Sequence, residues 1–324
     1  ISVALLTDHL NTTKSKLAKQ IGKRGVMEVL GDMQLLVGPP EQLCISNVAL
    51  MMFCEHLDKF FPYTQVEITK FPEGSIKNPN NFIEVPVIKG SVPTMIKRTM
   101  EKLQDMVIEE KVTKVDYQME AIRRYSYPYQ ALEEAVVNAF YHRDYQSYQA
   151  IIIEIEPDCV RIISYPGIDR SISQKTIAEG ERFKSRYYRN KRLGEFLKEL
   201  DLTEGKSTGI PTIQEELRDN GSPKATFETD DERRAVTVEI PIHPDFLMEQ
   251  GEPQNEPQNE PQNATSVEDA ILQLIRMNKY VTREEMASQI EVSLSTVKRS
   301  INKLKTSGII EYEGPSKGGY WSIK

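Results

Sequence analysis

The sequence predicts an α+β protein built from several modules, with a small basic module set apart at its C-terminal end. Three observations predict it. Through residues 1–248, apolar runs of strand character alternate with apolar stripes at helical spacing. Residues 252–263 then read Glu-Pro-Gln-Asn three times over. Finally, the charge changes sign along the chain. Residues 264–324 carry 9 Lys and Arg against 7 Asp and Glu, and the remainder carries 32 against 41.

The 324 residues suffice for about two domains with sizeable cores. Hydrophobic residues make up 39%, mean hydropathy is −0.47, and no apolar run reaches the ~18 residues of a membrane span, so no membrane partner is expected. The opening Ile1–Asp8 has neither a basic region nor a long apolar stretch, so it does not read as a signal peptide. It also lacks an initiator Met, and the expectation is a processed chain or a piece of a longer one. Cys44, Cys54 and Cys159 are far apart, with no CxxC or Cys/His cluster. No disulfide framework and no zinc site are expected, all three are expected as buried small hydrophobes, and the usage fits a reducing cytoplasm. A net charge of −7 argues against a protein coated in nucleic acid.

Within residues 1–115, Asn47–Cys54 and Gln65–Phe71 read as strands. Val92–Ile108 reads as a helix, with Met95, Ile96, Met100, Leu103 and Val107 at helical spacing. His9 and His56 stand alone, and this α+β segment shows no catalytic constellation. A second segment, 116–248, opens with a helix near Pro128, where Leu132, Ala135, Val136, Ala139 and Phe140 form one stripe. Glu134 and Asn138, four apart, stack on a different face of it. Ala150–Glu156 and Cys159–Tyr165 read as a hairpin turning at Pro157-Asp158 and ending in Tyr165-Pro166-Gly167. A basic stretch follows, with Lys184, Arg186, Arg189, Lys191 and Arg192. Next come a short helix with Leu193, Phe196, Leu197 and Leu200 on one face, a Gly205–Gly209 loop, a helix over 211–219 and a closing strand, Ala235–Ile242. The Pro in every fourth position of 252–263 blocks a helix, so 249–263 reads as an extended linker.

In 264–324, Ser266–Asp269 and Thr282–Glu285 are capping boxes that open two helices. A third helix runs from Ser295 to Thr306, with Val297, Ile301 and Leu304 as its core stripe. Its other face carries Ser295, Thr296, Lys298, Arg299, Asn302, Lys303 and Lys305, and no acidic residue lies between 292 and 310. Ile309–Glu313 and Gly319–Ile323 form a hairpin. This order resembles a winged helix-turn-helix. The resemblance implies that the third helix enters the major groove of double-stranded DNA, with Lys and Arg on phosphates, Ser, Thr or Asn near base edges, and Lys317 at the wing tip.

Two motifs mislead. Gly205-Lys206-Ser207 looks like the end of a P-loop, but Leu200 stands where the loop needs Gly, and a helix precedes it. His142-Arg143-Asp144 looks like a kinase catalytic loop, but Gln149 stands where the Asn is needed, and no Gly-rich loop, VAIK or DFG accompanies it.

The pairing of Glu134 with Asn138 suits nucleotide chemistry. An Asn amide oxygen can hold Mg²⁺ on nucleotide phosphates, and a Glu can orient a water for attack. Helix, hairpin ending at Gly, basic stretch, glycine loop, helix and strand resemble the GHKL (Bergerat-type) ATP-binding α/β sandwich. Ala131–Tyr145, with its Asn-Ala-x-x-His-Arg-Asp-Tyr run, resembles more closely the variant in RecG-related helicases and transcriptional regulators. The resemblance covers roughly 115–245. It implies ATP and Mg²⁺ as cofactors, Glu134 as catalytic and Asn138 as metal ligand. It implies further nucleotide contacts from Asp144, Gly167, Asp169, Arg189, Lys206, Ser207, Thr208 and Gly209, with 184–192 as a lid. One departure stands out: the fold's first Gly box begins with an adenine-binding Asp, whereas this chain has Tyr165 near that position, and its nearest later carboxylate is Asp169. The family also implies an upstream AlbA-like (Schlafen-type) domain, which this chain begins after. True RecG helicase motifs are absent. The expected function is a cytoplasmic, nucleotide-responsive DNA-binding transcriptional regulator, with homodimerisation open. The alternatives are an ATP-hydrolysing enzyme acting on DNA and a dimerising scaffold with a degenerate pocket.

Overall fold

The computed structural model describes residues 1–114, 121–180, 188–203, 209–247, 267–290, 292, 294–306, 309–313 and 319–323. The chain forms two compact units, Ile1–Pro253 and Gln254–Lys324. The expected linker, 249–263, lies outside the described residues.

The first unit opens with α1 (Val3–Thr12), α2 (Val26–Asp32), β1 (Leu36–Val37), β2 (Cys44–Ile45) and α3 (Asn47–Phe53). Then come β3 (Val66–Lys70), β4 (Ile83–Glu84), α4 (Val92–Val107), β5 (Glu110–Thr113) and β6 (Ile122–Tyr125). Next are α5 (Tyr129–His142), β7 (Ile151–Ile155), β8 (Cys159–Ser164), α6 (Gln174–Ala178) and α7 (Lys191–Glu199). The unit closes with α8 (Gly209–Asn220), β9 (Thr226–Thr229), β10 (Val236–Pro241) and α9 (Pro244–Leu247).

A six-stranded sheet in the order β4-β3-β7-β8-β10-β9 organises the unit. All its pairings are antiparallel except β3 with β7, where Val66 lies opposite Ile151. Alternation along β8 puts Ile162 and Ser164 on the helix-covered face. Arg161 takes the other face, paired with Glu154 at 3.0 Å and Glu239 at 3.1 Å. On the covered face α5 packs against α4, α8 and β8.

The change of character near residue 115 does not divide compact units. β3 and β4 extend the same sheet as β7 and β8, and Leu6, Leu30, Phe53 and Met95 share one core with Leu132 and Ile153. Asn47–Phe53, expected as a strand, is helix α3, capped by Ser46, whose hydroxyl accepts from the Ala49 N–H. Ala49, Met51, Met52 and Phe53 are all buried, so the run has no polar face from which a helical period can be read. Cys44, expected buried, is exposed on the short surface strand β2, while Cys54 and Cys159 are buried. His9 is a core histidine packed against Phe53 and Phe196. Burial holds its pKa below the ordinary value, although Glu199 sits 3.4 Å away.

The second unit comprises α10 (Val267–Met277), α11 (Arg283–Ile290), α12 (Leu294–Thr306), β11 (Ile310–Glu313) and β12 (Tyr320–Ile323). Ile271, Ile275, Met286, Val297, Ile301, Leu304 and Trp321 form its own core. The Trp321 indole N–H donates to the Val281 carbonyl at 3.1 Å. β11 and β12 pair antiparallel, Ile310 opposite Ile323. Among the described residues, no helix is long and apolar enough to cross a membrane.

Candidate nucleotide pocket and helix-turn-helix

α5 starts at Pro128 as N-cap and is buried over most of its circumference, including Leu132, Ala135, Val136, Val137, Ala139 and Phe140. Glu134 and Asn138 are half-buried, one turn apart, and both face a cavity of about 200 Å³. The Asn138 amide donates to Glu134 Oε1 at 2.9 Å. That bond fixes the amide orientation and leaves the carbonyl Oδ1 as the acceptor side.

The first turn of α8 meets this pair. Gly209, Ile210 and Pro211 line the cavity, and a Cβ on Gly209 would stand 2.6 Å from both Asn138 Nδ2 and Glu134 Oε1. Only a glycine lets the helix end come this close without moving them. The first turn of α8 carries no acidic residue, so the partial positive charge of its N-terminus is not neutralised by a carboxylate within that turn.

The sheet supplies Ile162, Ser164, Phe227, Val236 and Val238 to the cavity, and the segment after β8 supplies Gly167, Ile168, Asp169 and Ile172. A side chain on Gly167 would collide with the Thr229 hydroxyl and the Ala235 carbonyl, so packing against the β9–β10 connection demands this glycine. Asp169 is exposed at the rim. Its carboxylate accepts from the Ser171 N–H at 2.9 Å, and Ser171 holds its pKa below the usual range. Arg189 also lines the cavity, 3.9 Å from Asp144.

The structure therefore gathers Glu134, Asn138, Gly167, Asp169, Arg189 and Gly209 around one cavity. Asp144 does not line it. Its side chain caps its own turn by accepting from the Gln146 N–H, and it reaches the cavity only through Arg189. Lys206, Ser207 and Thr208 lie outside the described residues, as do Lys184 and Arg186 of the expected lid. Lys191 and Arg192 of that lid begin α7 instead, and Arg192 donates to the Met33 carbonyl at 3.1 Å.

The rest of the His142-Arg143-Asp144-Tyr145 run mostly fastens the end of α5. Arg143 is buried and donates to the Tyr63 carbonyl at 3.0 Å, and the Tyr145 hydroxyl donates to the Phe140 carbonyl at 3.0 Å. Asn190 donates to the Tyr141 and Arg143 carbonyls at 2.8 and 2.7 Å. Tyr141 stacks on Tyr188 with 7° between the rings, and Gly194 of α7 leaves the room Tyr141 occupies. His142 is exposed, and the groups crowding it and the nearby Arg189 hold its pKa below the ordinary value. Tyr141, Tyr188 and Ser164 were not singled out from the sequence, because no spacing pattern marks them.

In the second unit Val297, Ile301 and Leu304 of α12 are buried, as expected. Lys298, Arg299, Asn302, Lys303 and Lys305 are exposed, and Thr296 is half-buried. Ser295 belongs to α12, but its side chain is not among the described ones, and Lys317 lies outside the described residues, as does Ser266 of the first capping box. The second capping box is present: the Thr282 N–H donates to Glu285 Oε2 at 2.8 Å and the Glu285 N–H to Thr282 Oγ1 at 3.2 Å.

An α+β unit with a glycine-lined cavity, followed by a helix-turn-helix unit, is the class this architecture defines. Residues 149–239 match the family described as "Putative ATP-dependent DNA helicase recG C-terminal", and residues 267–320 match the family described as "HTH domain". The chain thus carries, in order, a stretch like the RecG C-terminal domain and a helix-turn-helix domain; α5, with Glu134 and Asn138, lies before the first matched stretch. No curated protein matches the chain. Among solved structures, the DIP2311 protein from Corynebacterium diphtheriae is similar in fold, at 16% identity and a TM-score of 0.54. The match covers 98% of this chain and 61% of that one.

Proposed function

We propose that the chain is a nucleotide-responsive DNA-binding protein, a transcriptional regulator of the RecG-related type. Its first unit takes a Mg²⁺–nucleotide, and its second holds duplex DNA. The observation that carries the reading is the hydrogen-bonded Glu134–Asn138 pair on the cavity wall, with the first turn of α8 seated on it at Gly209. A helix N-terminus favours phosphate, and an amide oxygen beside a carboxylate favours a hard cation. The apolar sheet wall suits a planar base. These residues therefore fit the ligand that the domain type implies. Asn138 would hold the cation, Glu134 would orient a water, and Arg189 would meet phosphate charge at the rim. The nucleotide supplies the triphosphate whose presence or loss the first unit senses. Such a regulator would act in the cytoplasm, alone or as a homodimer.

Calorimetry of the full chain with ATP and Mg²⁺ tests this. Binding is expected, and Asn138→Ala is expected to weaken it at least about tenfold, the loss of a charge-assisted contact. Equal binding by both proteins, or none by either, would sink the assignment. A second reading, an ATP-hydrolysing enzyme acting on DNA, is favoured by the carboxylate of Glu134 at the cavity wall. It requires phosphate release that duplex DNA stimulates and that Glu134→Ala abolishes while binding persists. A scaffold with a degenerate pocket would bind no nucleotide.

A further inference from the structure

Five sheet residues line the cavity: Ile162 and Ser164 of β8, Phe227 of β9, and Val236 and Val238 of β10. Four are apolar. Ser164, at the end of β8 opposite Val236, is the polar one. It is 5% exposed, and its hydroxyl has no hydrogen-bond partner among the described residues. The ionisable groups around the cavity lie on other walls: Glu134, Tyr141 and His142 on α5, Asp169 in the segment after β8, and Tyr188 and Arg189 just before α7.

The hydroxyl is open to the cavity, so water meets it until a ligand takes its place. Polarity divides the cavity accordingly. A charged ligand end belongs with Asn138, Arg189 and the α8 turn, and a flat apolar body belongs on Ile162, Val236 and Val238. The body then meets one polar protein atom at the sheet, the Ser164 hydroxyl. A carboxylate in that place would only accept a hydrogen bond and would select a 6-amino purine. A hydroxyl both donates and accepts. It pairs with an amino group by accepting and with a keto group by donating.

On the nucleotide reading above, we infer that Ser164 is the base-recognition residue of this cavity, and that it admits 6-amino and 6-oxo purine triphosphates alike. Specificity of the first unit is then for purine shape and triphosphate charge rather than for adenine.

The test is calorimetry of the full chain, in Mg²⁺, with ATP, GTP and purine riboside triphosphate, which lacks a 6-substituent. The wild-type protein should bind ATP and GTP within about threefold of each other and purine riboside triphosphate about fivefold more weakly, one net hydrogen bond apart. Ser164→Ala should bring ATP and GTP down to the purine riboside level and leave purine riboside triphosphate unchanged. Ser164→Asp, an acceptor only, should prefer ATP over GTP by at least about tenfold. A wild-type preference for ATP above about thirtyfold would overturn the inference. So would an equal loss for all three ligands in Ser164→Ala, since that places the hydroxyl on the sugar or phosphates, and so would an Asp variant with no preference. In each of these cases nucleotide binding itself survives. If the wild type binds none of the three, the nucleotide reading falls and this inference with it.

Discussion

Gly209 occupies the tightest position of the site. The atoms a Cβ would strike at 2.6 Å, Asn138 Nδ2 and Glu134 Oε1, are the far ends of flexible side chains, and Gly209 has no positive φ to strain. Gly209→Ala should therefore fold, with a thermal midpoint within a few degrees of wild type, because Ala also lowers the entropy of the unfolded chain. The same methyl must push the Glu134–Asn138 pair aside, so Mg²⁺–ATP affinity should fall by about tenfold or more. A variant that keeps wild-type affinity would show that the contact between α8 and this pair is incidental. At this scale the sequence was legible where spacing encodes geometry: Glu134 and Asn138 lie one turn apart and do meet. It was not legible at Ser164 or in the Tyr141–Tyr188 stack, which depend on which strand face and which loop arrive at the cavity. Asp144, which the resemblance placed among the nucleotide contacts, has its carboxylate on its own turn and beside Arg189, a placement that sequence spacing does not encode.

Elements with local patterns were read correctly, and those whose form depends on distant partners were not. The stripe of α5, the β7–β8 hairpin and the stripe of α12 each carry their period within a few residues. By contrast, β9 is a four-residue edge strand with Phe227 as its buried residue, too short to show alternation. The parallel pairing of β3 with β7 joins segments separated by two helices and three strands, which no local pattern announces. That pairing is why residues 1–115 share a core with the elements around the cavity instead of forming a unit of their own. The capping box of α11 is a local feature whose energetics can be checked. Thr282→Ala removes the hydroxyl that accepts from the Glu285 N–H and should destabilise the second unit by about 1 kcal/mol in thermal unfolding. Glu285 adds a pH signature. Its carboxylate accepts from the Thr282 N–H, which lowers its folded pKa, so its contribution is full above the unfolded carboxylate pKa and is lost as pH falls through the folded one. A Thr282→Ala protein as stable as wild type would mean that packing alone holds α11.

At the scale of the whole molecule, two units with separate cores flank a proline-rich repeat. Limited proteolysis should cut between residues 250 and 264 and release a stable C-terminal fragment of about 60 residues, small but able to fold alone. Resistance of that stretch to several proteases would argue that the units are not independent. The released unit is where DNA recognition should reside. α12 exposes Lys298, Arg299, Lys303 and Lys305, and the sequence has no acidic residue from 292 to 310 to oppose them. Phosphate contacts by such residues displace counterions, so affinity for duplex DNA should fall steeply as salt rises. Replacing Lys298 and Arg299 by Ala should weaken binding to all sequences alike and flatten the salt slope by roughly one unit per lost contact. Asn302→Ala should instead change sequence preference, since an amide in the major groove can bond a base edge in two places. Both follow from α12 lying in the groove, because a helix used for protein contact would lose neither salt slope nor preference. A chain lacking residues 264–324 that still shifts duplex DNA at physiological salt would move DNA recognition into the first unit, where Arg189 and its neighbours would become the place to look.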